Sequence, residues 1–151
     1  MRLYRICCAA HRELEGEGAR LYGGRWNTPG HPIVYTSSTL ALAALECLIH
    51  VDPEDAPGDL VALTTEVPDH LDIETVDVAS LPAGWERVPE PLACKDVGDA
   101  WVHRGQTLAL RVPSAPIPEE MNMLLNPRQR AARRVRVVAE LPFLFDPSLL
   151  V

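Results

Sequence analysis

One segment constrains the fold more than any other: Thr39–Val51 is apolar almost throughout, and its only formal charge is Glu46. The spacing of its apolar residues and the hydroxyl residues just before them predict a helix, which Pro53 ends. On that helix Leu42 and Ile49 lie on the same face as Glu46. An unpaired carboxylate on a largely buried helix is costly, so Glu46 requires a partner or a function.

Two interpretations of Glu46 follow from the residues alone. In the first, Glu46 forms a buried ion pair with Arg25 or Arg5 and only stabilises the fold. In the second, it faces a ligand. The stretch Gly23-Gly24-Arg25 favours the second, because glycines let a backbone approach a ligand closely. The guanidinium beside them suits a phosphate or diphosphate, which it binds with two parallel hydrogen bonds.

The size and composition of the chain indicate one compact domain, residues 1–151, with a sizeable core. A net charge of -7 argues against a general nucleic-acid binder. No apolar run is long enough to span a bilayer, and the N-terminus lacks the apolar core of a secretory signal, so we expect a cytoplasmic protein. The 4 cysteines and 5 histidines show no zinc-binding spacing, and we expect no metal.

The order of the periodic segments predicts an α+β domain rather than a doubly wound sheet. Residues 9–32 are rich in glycine and polar residues and are predicted to form a long loop. Residues 119–125 are predicted to form one helical turn. Arg5, on the first strand, either reaches solvent or points into a cleft. The other predicted elements are helices at 39–51 and 92–104 and strands at 2–7, 33–35, 60–67, 71–78, 108–112 and 135–141.

Four further features have both a structural and a functional interpretation. Tyr35, at a strand end, is either half-buried packing or a stacking partner for a planar ring. Ser114 is a turn residue or a hydrogen-bond partner of a ligand or of Arg25, and it lacks the Gly-x-Ser-x-Gly context of a hydrolase nucleophile. Asn126 precedes a proline, which is a turn signal. The run Arg128–Arg136 contains five arginines and no acid, so it is a solvated face, a docking surface for an acidic partner or, least favoured, a nucleic-acid surface.

Together these residues resemble the RES family, which is named for an Arg-Glu-Ser set. The shared motifs run over nearly the whole chain in the family's order and spacing. They are Leu3-Tyr4-Arg5-Ile6, Gly23-Gly24-Arg25-Trp26-Asn27 followed by Gly30, Val34-Tyr35, Ala43-Ala44-Leu45-Glu46, Val112-Pro113-Ser114 and Leu124-Leu125-Asn126-Pro127. One departure is Gln129, where family members often have a histidine. RES proteins are toxins of bacterial toxin–antitoxin pairs, whose antitoxin carries an Xre-like helix-turn-helix DNA-binding domain.

The resemblance implies a fold like that of bacterial ADP-ribosyltransferase toxins and a reaction that consumes NAD⁺ as substrate. The nicotinamide–ribose bond is expected to be cleaved by hydrolysis or phosphorolysis, or with transfer of the ADP-ribosyl group to a protein. The resemblance makes Arg25, Glu46 and Ser114 the catalytic residues. The substrate-binding residues that it implies are Arg5, Trp26, Asn27, Tyr35 and Asn126.

These residue types suit that chemistry. Cleavage of the nicotinamide–ribose bond builds positive charge on the ribose, which a fixed carboxylate such as Glu46 stabilises. We expect Arg25, together with Arg5, to bind the diphosphate, Tyr35 to stack on the nicotinamide or ribose, and loop 9–32 to close over the ligand.

The resemblance also implies an antitoxin that blocks the cleft, and it makes a homodimer an expectation. A protein ADP-ribosyltransferase toxin is the alternative within the same class of enzyme. An alternative of another class is a non-catalytic binding module that uses the Arg128–Arg136 face. Direct binding to nucleic acid or to a membrane is not expected.

Overall fold

The computed structural model describes residues 1–151. Seven strands form one sheet in the order β4-β5-β6-β2-β1-β3-β7, in which every neighbouring pair is antiparallel except β4 and β5. The strands are β1 (Arg2–Cys8), β2 (Val34–Ser37), β3 (Leu60–Glu66), β4 (Ile73–Thr75), β5 (Ala109–Pro113), β6 (Met121–Leu125) and β7 (Arg136–Pro142). The α-helices are α1 (Glu17–Tyr22), α2 (Leu40–Leu48) and α3 (Leu92–Arg104). The expectation of a single α+β domain is confirmed.

Alternation along the strands separates two apolar layers. On β6, Leu124 belongs to a core cluster with Trp101 of α3, whereas its neighbour Leu125 belongs to a cluster on the other face of the sheet. Helix α2 packs against β1 and β2, and its buried Ala43 meets Ile6 of β1. The sheet therefore has α2 and α3 on one face. The short 3₁₀ helix Arg130–Arg134 contributes apolar contacts to the other face.

The pairing of β1 determines where the sheet opens. Along its whole length β1 is paired with β3, but it meets β2 at a single position, Tyr4 opposite Ser37. Beyond that pair the two strands diverge. An interior strand that is paired on only one side leaves a gap in the sheet, and in this protein the gap becomes part of a cavity.

Two predicted elements were wrong. Residues 9–32 include a helix, α1, since the glycines that suggested a loop lie at its ends: Gly16 precedes it with φ 69°, and Gly23 follows it with φ 74° and donates its N–H to Ala19. Residues 121–125 form strand β6 instead of a helical turn. Pairing with both β2 and β5 outweighs the helical preference of its Met and Leu residues.

The remaining strands and helices were predicted within a few residues of their observed ends. Helix α2 ends at Leu48, and only its Leu42 and Ala43 are fully buried, so the expectation of a largely buried helix was wrong. One side of α2 borders the cavity instead of the core. Gly105 ends α3 with φ 61°. No helix is long and apolar enough to cross a membrane.

Candidate active site

A cavity of about 580 Å³ opens where β1 and β2 diverge. Its volume falls within the usual range for small-molecule and cofactor sites. Helix α2 contributes Glu46, β1 contributes Arg5, β2 contributes Tyr35, and the loop after α1 contributes Arg25. Trp26, in the same loop as Arg25, also borders the cavity, so five residues predicted from the sequence converge on it from four different elements.

Glu46 is half-buried in the wall of this cavity and is held by two neutral side chains. Its Oε1 atom accepts a hydrogen bond from Ser114 Oγ at 2.7 Å and another from Asn122 Nδ2 at 2.5 Å. Its Oε2 atom makes no hydrogen bond within the protein, and no buried polar atom of the chain lacks a partner. The carboxylate is thus fixed through one oxygen, while the other is accessible from the cavity.

The expected ion pair between Glu46 and an arginine is not formed. The five ion pairs of the protein involve neither Glu46 nor Arg25 nor Arg5. Neutral donors take the place of the arginine because Glu46 is not deeply buried and needs no compensating charge. The structural interpretation of Glu46 as half of a buried ion pair was therefore wrong.

Ser114 lies behind Glu46 and does not border the cavity. The residue is fully buried, its hydroxyl donates its only hydrogen to Glu46, and its Oγ accepts from the N–H of Ile117 at 3.3 Å. A hydroxyl in this position orients the carboxylate and is not placed as a nucleophile. The predicted hydrogen bond between Ser114 and Arg25 is absent. Ser114 instead bonds to Glu46, so it contributes to the site without bordering the cavity.

Asn122 is a site residue that the sequence analysis missed. It lies on β6 opposite Ser37 of β2, and its Oδ1 accepts from Ser37 Oγ at 2.8 Å while its Nδ2 donates to Glu46. Because a carboxylate only accepts hydrogen bonds, Glu46 determines that the amide nitrogen faces it, and the Ser37 hydroxyl then donates to the amide oxygen. Asn122 directly precedes the apolar residues 123–125, in a segment that the sequence predicts to be helical. Only the alternation of a strand places its side chain on the face of the sheet that carries α2.

Arg25 is half-buried, borders the same cavity as Glu46 and is anchored through one nitrogen. Its Nη1 donates to the carbonyl oxygens of Trp85 at 2.8 Å and Arg87 at 3.0 Å. Its Nε and Nη2 atoms make no hydrogen bond within the protein. No carboxylate is paired with Arg25, so its positive charge at the cavity wall is not compensated and its free donors are available for an anion.

The RES domain family matches residues 2–146 of this sequence. The chain belongs to the RES domain family. Toxin Res of Photorhabdus laumondii is 35% identical over 154 aligned positions, which cover 99% of this chain and 97% of that protein. The Prs ADP-ribosylating toxin of a Sphingobium strain is 35% identical over 140 positions, covering 91% and 87% of the two chains. The crystal structure of the M. tuberculosis MbcT-MbcA toxin–antitoxin complex contains a chain of the same fold, with a TM-score of 0.78 at 20% identity over 99% of this chain and 86% of that one.

These relatives confirm, at the level of the family, the expectation of a RES toxin that is an enzyme. The family's namesake residues are arranged in two tiers in this RES domain. Arg25 and Glu46 border the cavity, and Ser114 supports Glu46 from behind.

The loop that carries Arg25 in the RES domain is fixed from inside by Asn27. The buried Asn27 amide donates to the carbonyl oxygens of Ala19, Thr28 and His31, at 2.8, 3.1 and 3.0 Å. Its Oδ1 accepts from the Tyr35 hydroxyl at 2.7 Å. Asn27 therefore acts within the loop, and its side chain is not directed at a ligand.

Tyr35 connects the loop to β2. Its hydroxyl also accepts from the backbone N–H of Trp26 at 3.1 Å, while its ring borders the cavity. Burial raises the pKa of this hydroxyl well above the ordinary tyrosine value, so it stays protonated and keeps donating to Asn27. The indole of Trp26 is buried in the core, with its ring centroid 6.2 Å from that of Trp85.

Helix α3 supports the loop from outside. Lys95 donates to the carbonyl oxygen of Gly24 at 2.6 Å, and Asp99 accepts from both the backbone N–H and the hydroxyl of Thr28. Between them lies Gly98, where a methyl group would overlap the carbonyl oxygen of Trp26. The helix thus approaches the loop more closely than any residue with a side chain would permit.

Of the last two residues predicted to bind substrate, Arg5 reaches the cavity and Asn126 does not. Arg5 borders the cavity, and its Nη1 donates weakly to the carbonyl oxygen of Glu13 at 3.5 Å. The structure does not bring Asn126 to the site: its buried amide donates to the carbonyl oxygen of Val102, and its Oδ1 accepts from the N–H of Arg128. These bonds make Asn126 a turn residue, in agreement with the simpler sequence interpretation.

Tyr22 is a second residue that sequence analysis missed. It is the last residue of α1, borders the cavity, and is 80% exposed. Its only signal was an aromatic residue directly before the glycine pair.

Three cysteines also border the cavity, namely Cys7, Cys8 and Cys47. Burial raises the pKa of each thiol. All three are neutral thiols at neutral pH and poor nucleophiles. No three His, Cys, Asp or Glu side chains are grouped closely enough to hold a metal ion.

Proposed function

We propose that this RES toxin consumes NAD⁺ by cleaving its nicotinamide–ribose bond in the cavity between Glu46 and Arg25. One observation carries the proposal: Glu46 is fixed through Oε1 by two neutral donors, and its Oε2 is open to a cavity that also presents an unpaired guanidinium. A carboxylate and a cation that border one cavity match the charges of the scissile half of NAD⁺, an incipient ribosyl cation and a diphosphate.

Glu46 supplies the electrostatic part of the reaction. As the bond to nicotinamide breaks, positive charge develops on the ribose, and the Oε2 atom of Glu46 stabilises it or holds the ribose hydroxyls. Nicotinamide leaves as a neutral molecule, so no general acid is required. Ser114 and Asn122 act as positioning residues, since they hold the carboxylate in one orientation.

Arg25 supplies the binding part. Its free Nε and Nη2 atoms are donors for the diphosphate. The two hydrogen bonds of its Nη1 hold the guanidinium in one position. Arg5, on the diverging strand β1, is the second cation of the cavity and adds to this binding. The Tyr35 ring offers a flat surface to the nicotinamide or ribose.

The proposal is tested by Glu46→Gln and Arg25→Ala, with NAD⁺ consumption followed by proton NMR. We expect Glu46→Gln to lower kcat by about a hundredfold or more and Arg25→Ala mainly to raise KM. Glu54→Gln and Arg2→Ala are matched controls on the exposed surface and are expected to behave as wild type. Wild-type turnover in both site variants, with the fold intact, contradicts the proposal.

The acceptor of the ADP-ribosyl group is water, phosphate or a protein. The Sphingobium relative is named an ADP-ribosylating toxin, which supports protein transfer as a second candidate. NAD⁺ labelled in its adenylate phosphate distinguishes them: transfer leaves the label on a protein target, hydrolysis gives free ADP-ribose, and phosphorolysis gives a phosphorylated product only when phosphate is present. The same Glu46→Gln variant is expected to lose activity in every case.

We further propose that a cognate antitoxin with an Xre-like helix-turn-helix domain holds the toxin inactive in the cytoplasm by covering this cavity. The neighbour of the same fold was solved as a toxin–antitoxin complex, which supports an antitoxin partner. Co-expression of the antitoxin is expected to restore both growth and cellular NAD⁺. A homodimer remains part of the proposal, to be checked by light scattering of the purified toxin.

A further inference from the structure

A second cavity lies on the other side of the sheet and shares no residue with the proposed active site. Its volume is about 420 Å³, and it is bordered by the 3₁₀ helix Arg130–Arg134, by residues 70–72 and by residues 106–108. We call it the arginine cavity, because Arg130, Arg133 and Arg134 line it. None of the chemistry proposed above uses it.

The arginines of this region have no partner within the protein. Elsewhere on the surface, Arg12, Arg20 and Arg104 each form an ion pair with a glutamate. The five arginines of the run Arg128–Arg136 form no ion pair and no side-chain hydrogen bond, and all five are exposed. Asp72 borders the same cavity and still does not pair with them.

This concentration of positive charge runs against the rest of the chain. The run contains five of the 14 Lys and Arg residues and none of the 21 Asp and Glu residues, in a protein with net charge -7. Such an isolated cationic surface attracts an acidic group locally, while the remaining surface repels an extended polyanion such as nucleic acid.

The interior of the arginine cavity is partly apolar. Leu71, Leu108 and Ala131 are among its lining residues; Leu108 belongs to a buried core cluster, and the partly buried Leu71 and Ala131 pack against that cluster. A site that combines apolar contacts with exposed cations fits a peptide in which carboxylate and apolar side chains alternate. A free phosphate would use the cations alone.

We propose that the arginine cavity is a docking site for an acidic segment of a partner protein. A carboxylate enters among Arg130, Arg133 and Arg134, and a neighbouring apolar side chain contacts Leu71 and Ala131. Since guanidinium–carboxylate contacts are two-pronged and oriented, they supply specificity as well as attraction.

The test uses fluorescence anisotropy with a labelled peptide of repeated Glu-Leu pairs. Its controls are a Gln-Leu peptide of the same length, a single-stranded oligonucleotide and inorganic pyrophosphate as competitor. The cavity variant is the triple substitution Arg130→Gln, Arg133→Gln and Arg134→Gln. The matched variant, Arg2→Gln, Arg128→Gln and Arg136→Gln, removes the same charge from positions that do not line the cavity.

We expect the Glu-Leu peptide to bind the wild type, and the cavity variant to weaken this binding by about tenfold or more. The matched variant is expected to change it by no more than about threefold, since exposed charges act only at a distance. NAD⁺ turnover and the urea midpoint of the cavity variant are expected to stay at wild-type values. Equal losses in both variants, tighter binding of the oligonucleotide, full displacement by stoichiometric pyrophosphate, or no binding of the peptide would each overturn the proposal.

Discussion

The two walls of the proposed active site are held in different ways. Glu46 depends on side chains that are distant in sequence, since Ser114 and Asn122 lie 68 and 76 residues away. The Arg25 loop is largely a local structure, in which Asn27 bonds to residues 8, 1 and 4 positions away and again to Tyr35, 8 positions away. The loop has its own internal framework, and only its Arg25 guanidinium is anchored at a distance, on carbonyl oxygens 60 and 62 residues away. The carboxylate, in contrast, is positioned only when β5, β6 and α2 have come together.

The largest loss of stability is expected when the contact between this loop and α3 is disrupted. Gly98→Ala places a methyl group against the Trp26 carbonyl, and backbone cannot move aside as a flexible side chain would. We expect the free energy of unfolding to fall by about 3 kcal/mol, measured by urea denaturation. The loss would occur although alanine is the better helix former.

Gly18→Ala is the matched control, since Gly18 lies in α1 with nothing within 4 Å of its added methyl group. It is expected to leave stability unchanged or to raise it by up to about 1 kcal/mol. If both substitutions had the same effect, the loop would not depend on close approach of α3.

The positioning of Glu46 is tested by Asn122→Ala, which removes one of its two hydrogen-bond donors. Loss of a hydrogen bond to a charged group is worth about 1.5–3 kcal/mol, so we expect kcat for NAD⁺ to fall roughly 10- to 100-fold with little change in KM. Asn122 borders the cavity, but its amide is bonded to Ser37 and Glu46, so we expect its loss to affect the orientation of Glu46 more than ligand binding. A change in KM alone would mean that Asn122 contacts substrate rather than positioning Glu46.

Asn122→Asp sharpens the same test through pH. Two carboxyl groups at 2.5 Å cannot both be ionised, so the pair retains one proton at low pH and loses it as the pH rises. The singly protonated pair restores a donor to Glu46. Activity of this variant, relative to wild type, is therefore expected to be highest at low pH and to fall with increasing pH; a constant ratio would exclude direct pairing.

The contrast between the walls also explains what the sequence could predict. Gly23, Gly24 and Arg25 form a contiguous motif, so the loop was identified from its residues. Glu46 was identified as an isolated charge, but its partners were not, because they depend on the register of β2 with β6. An arginine was the expected partner on charge alone, whereas the fold supplied a serine and an amide.

The errors in secondary structure have the same origin. Strand β6 was predicted as helix because Met and Leu favour helices locally, and its two neighbouring strands are invisible in the sequence. Helix α1 was missed since its flanking glycines, Gly16 and Gly23, were counted as loop residues rather than as the residues that bound a helix. Local motifs were predicted, and long-range pairing was not.

The internal framework of the loop is tested by Tyr35→Phe. The substitution leaves Asn27 Oδ1 and the Trp26 N–H without a partner, which is expected to lower the free energy of unfolding by about 1–3 kcal/mol. Tyr4→Phe, which removes a hydroxyl with no hydrogen bond, is the control. Equal stabilities for the two variants would mean that the Tyr35 hydroxyl does not support the loop.

The pH dependence of Tyr35→Phe gives a second readout. Burial raises the pKa of Tyr35 above the unfolded value of about 10, so the unfolded chain releases a proton that the folded chain keeps. The contribution of the Tyr35 hydroxyl to the free energy of unfolding is complete below about pH 10 and is lost as the pH rises above that value. The stability difference between wild type and Tyr35→Phe is therefore expected to narrow at alkaline pH, and a constant difference contradicts this assignment.

The smallest effect is expected at the edge of the loop wall, at Tyr22. Its ring is 80% exposed at the cavity, one residue before the glycine pair, where it can stack on a planar ring of the bound dinucleotide. An aromatic pair is worth about 0.5–1.5 kcal/mol, so Tyr22→Ala should raise KM for NAD⁺ roughly three- to tenfold and leave kcat unchanged. Tyr22→Phe should keep the wild-type KM, and so should Leu21→Ala, which removes a 49% exposed side chain that does not border the cavity. A wild-type KM in Tyr22→Ala would show that Tyr22 does not stack on the substrate. The segment that carries Tyr22 and Arg25 would then contribute the charge of Arg25 but no stacking surface.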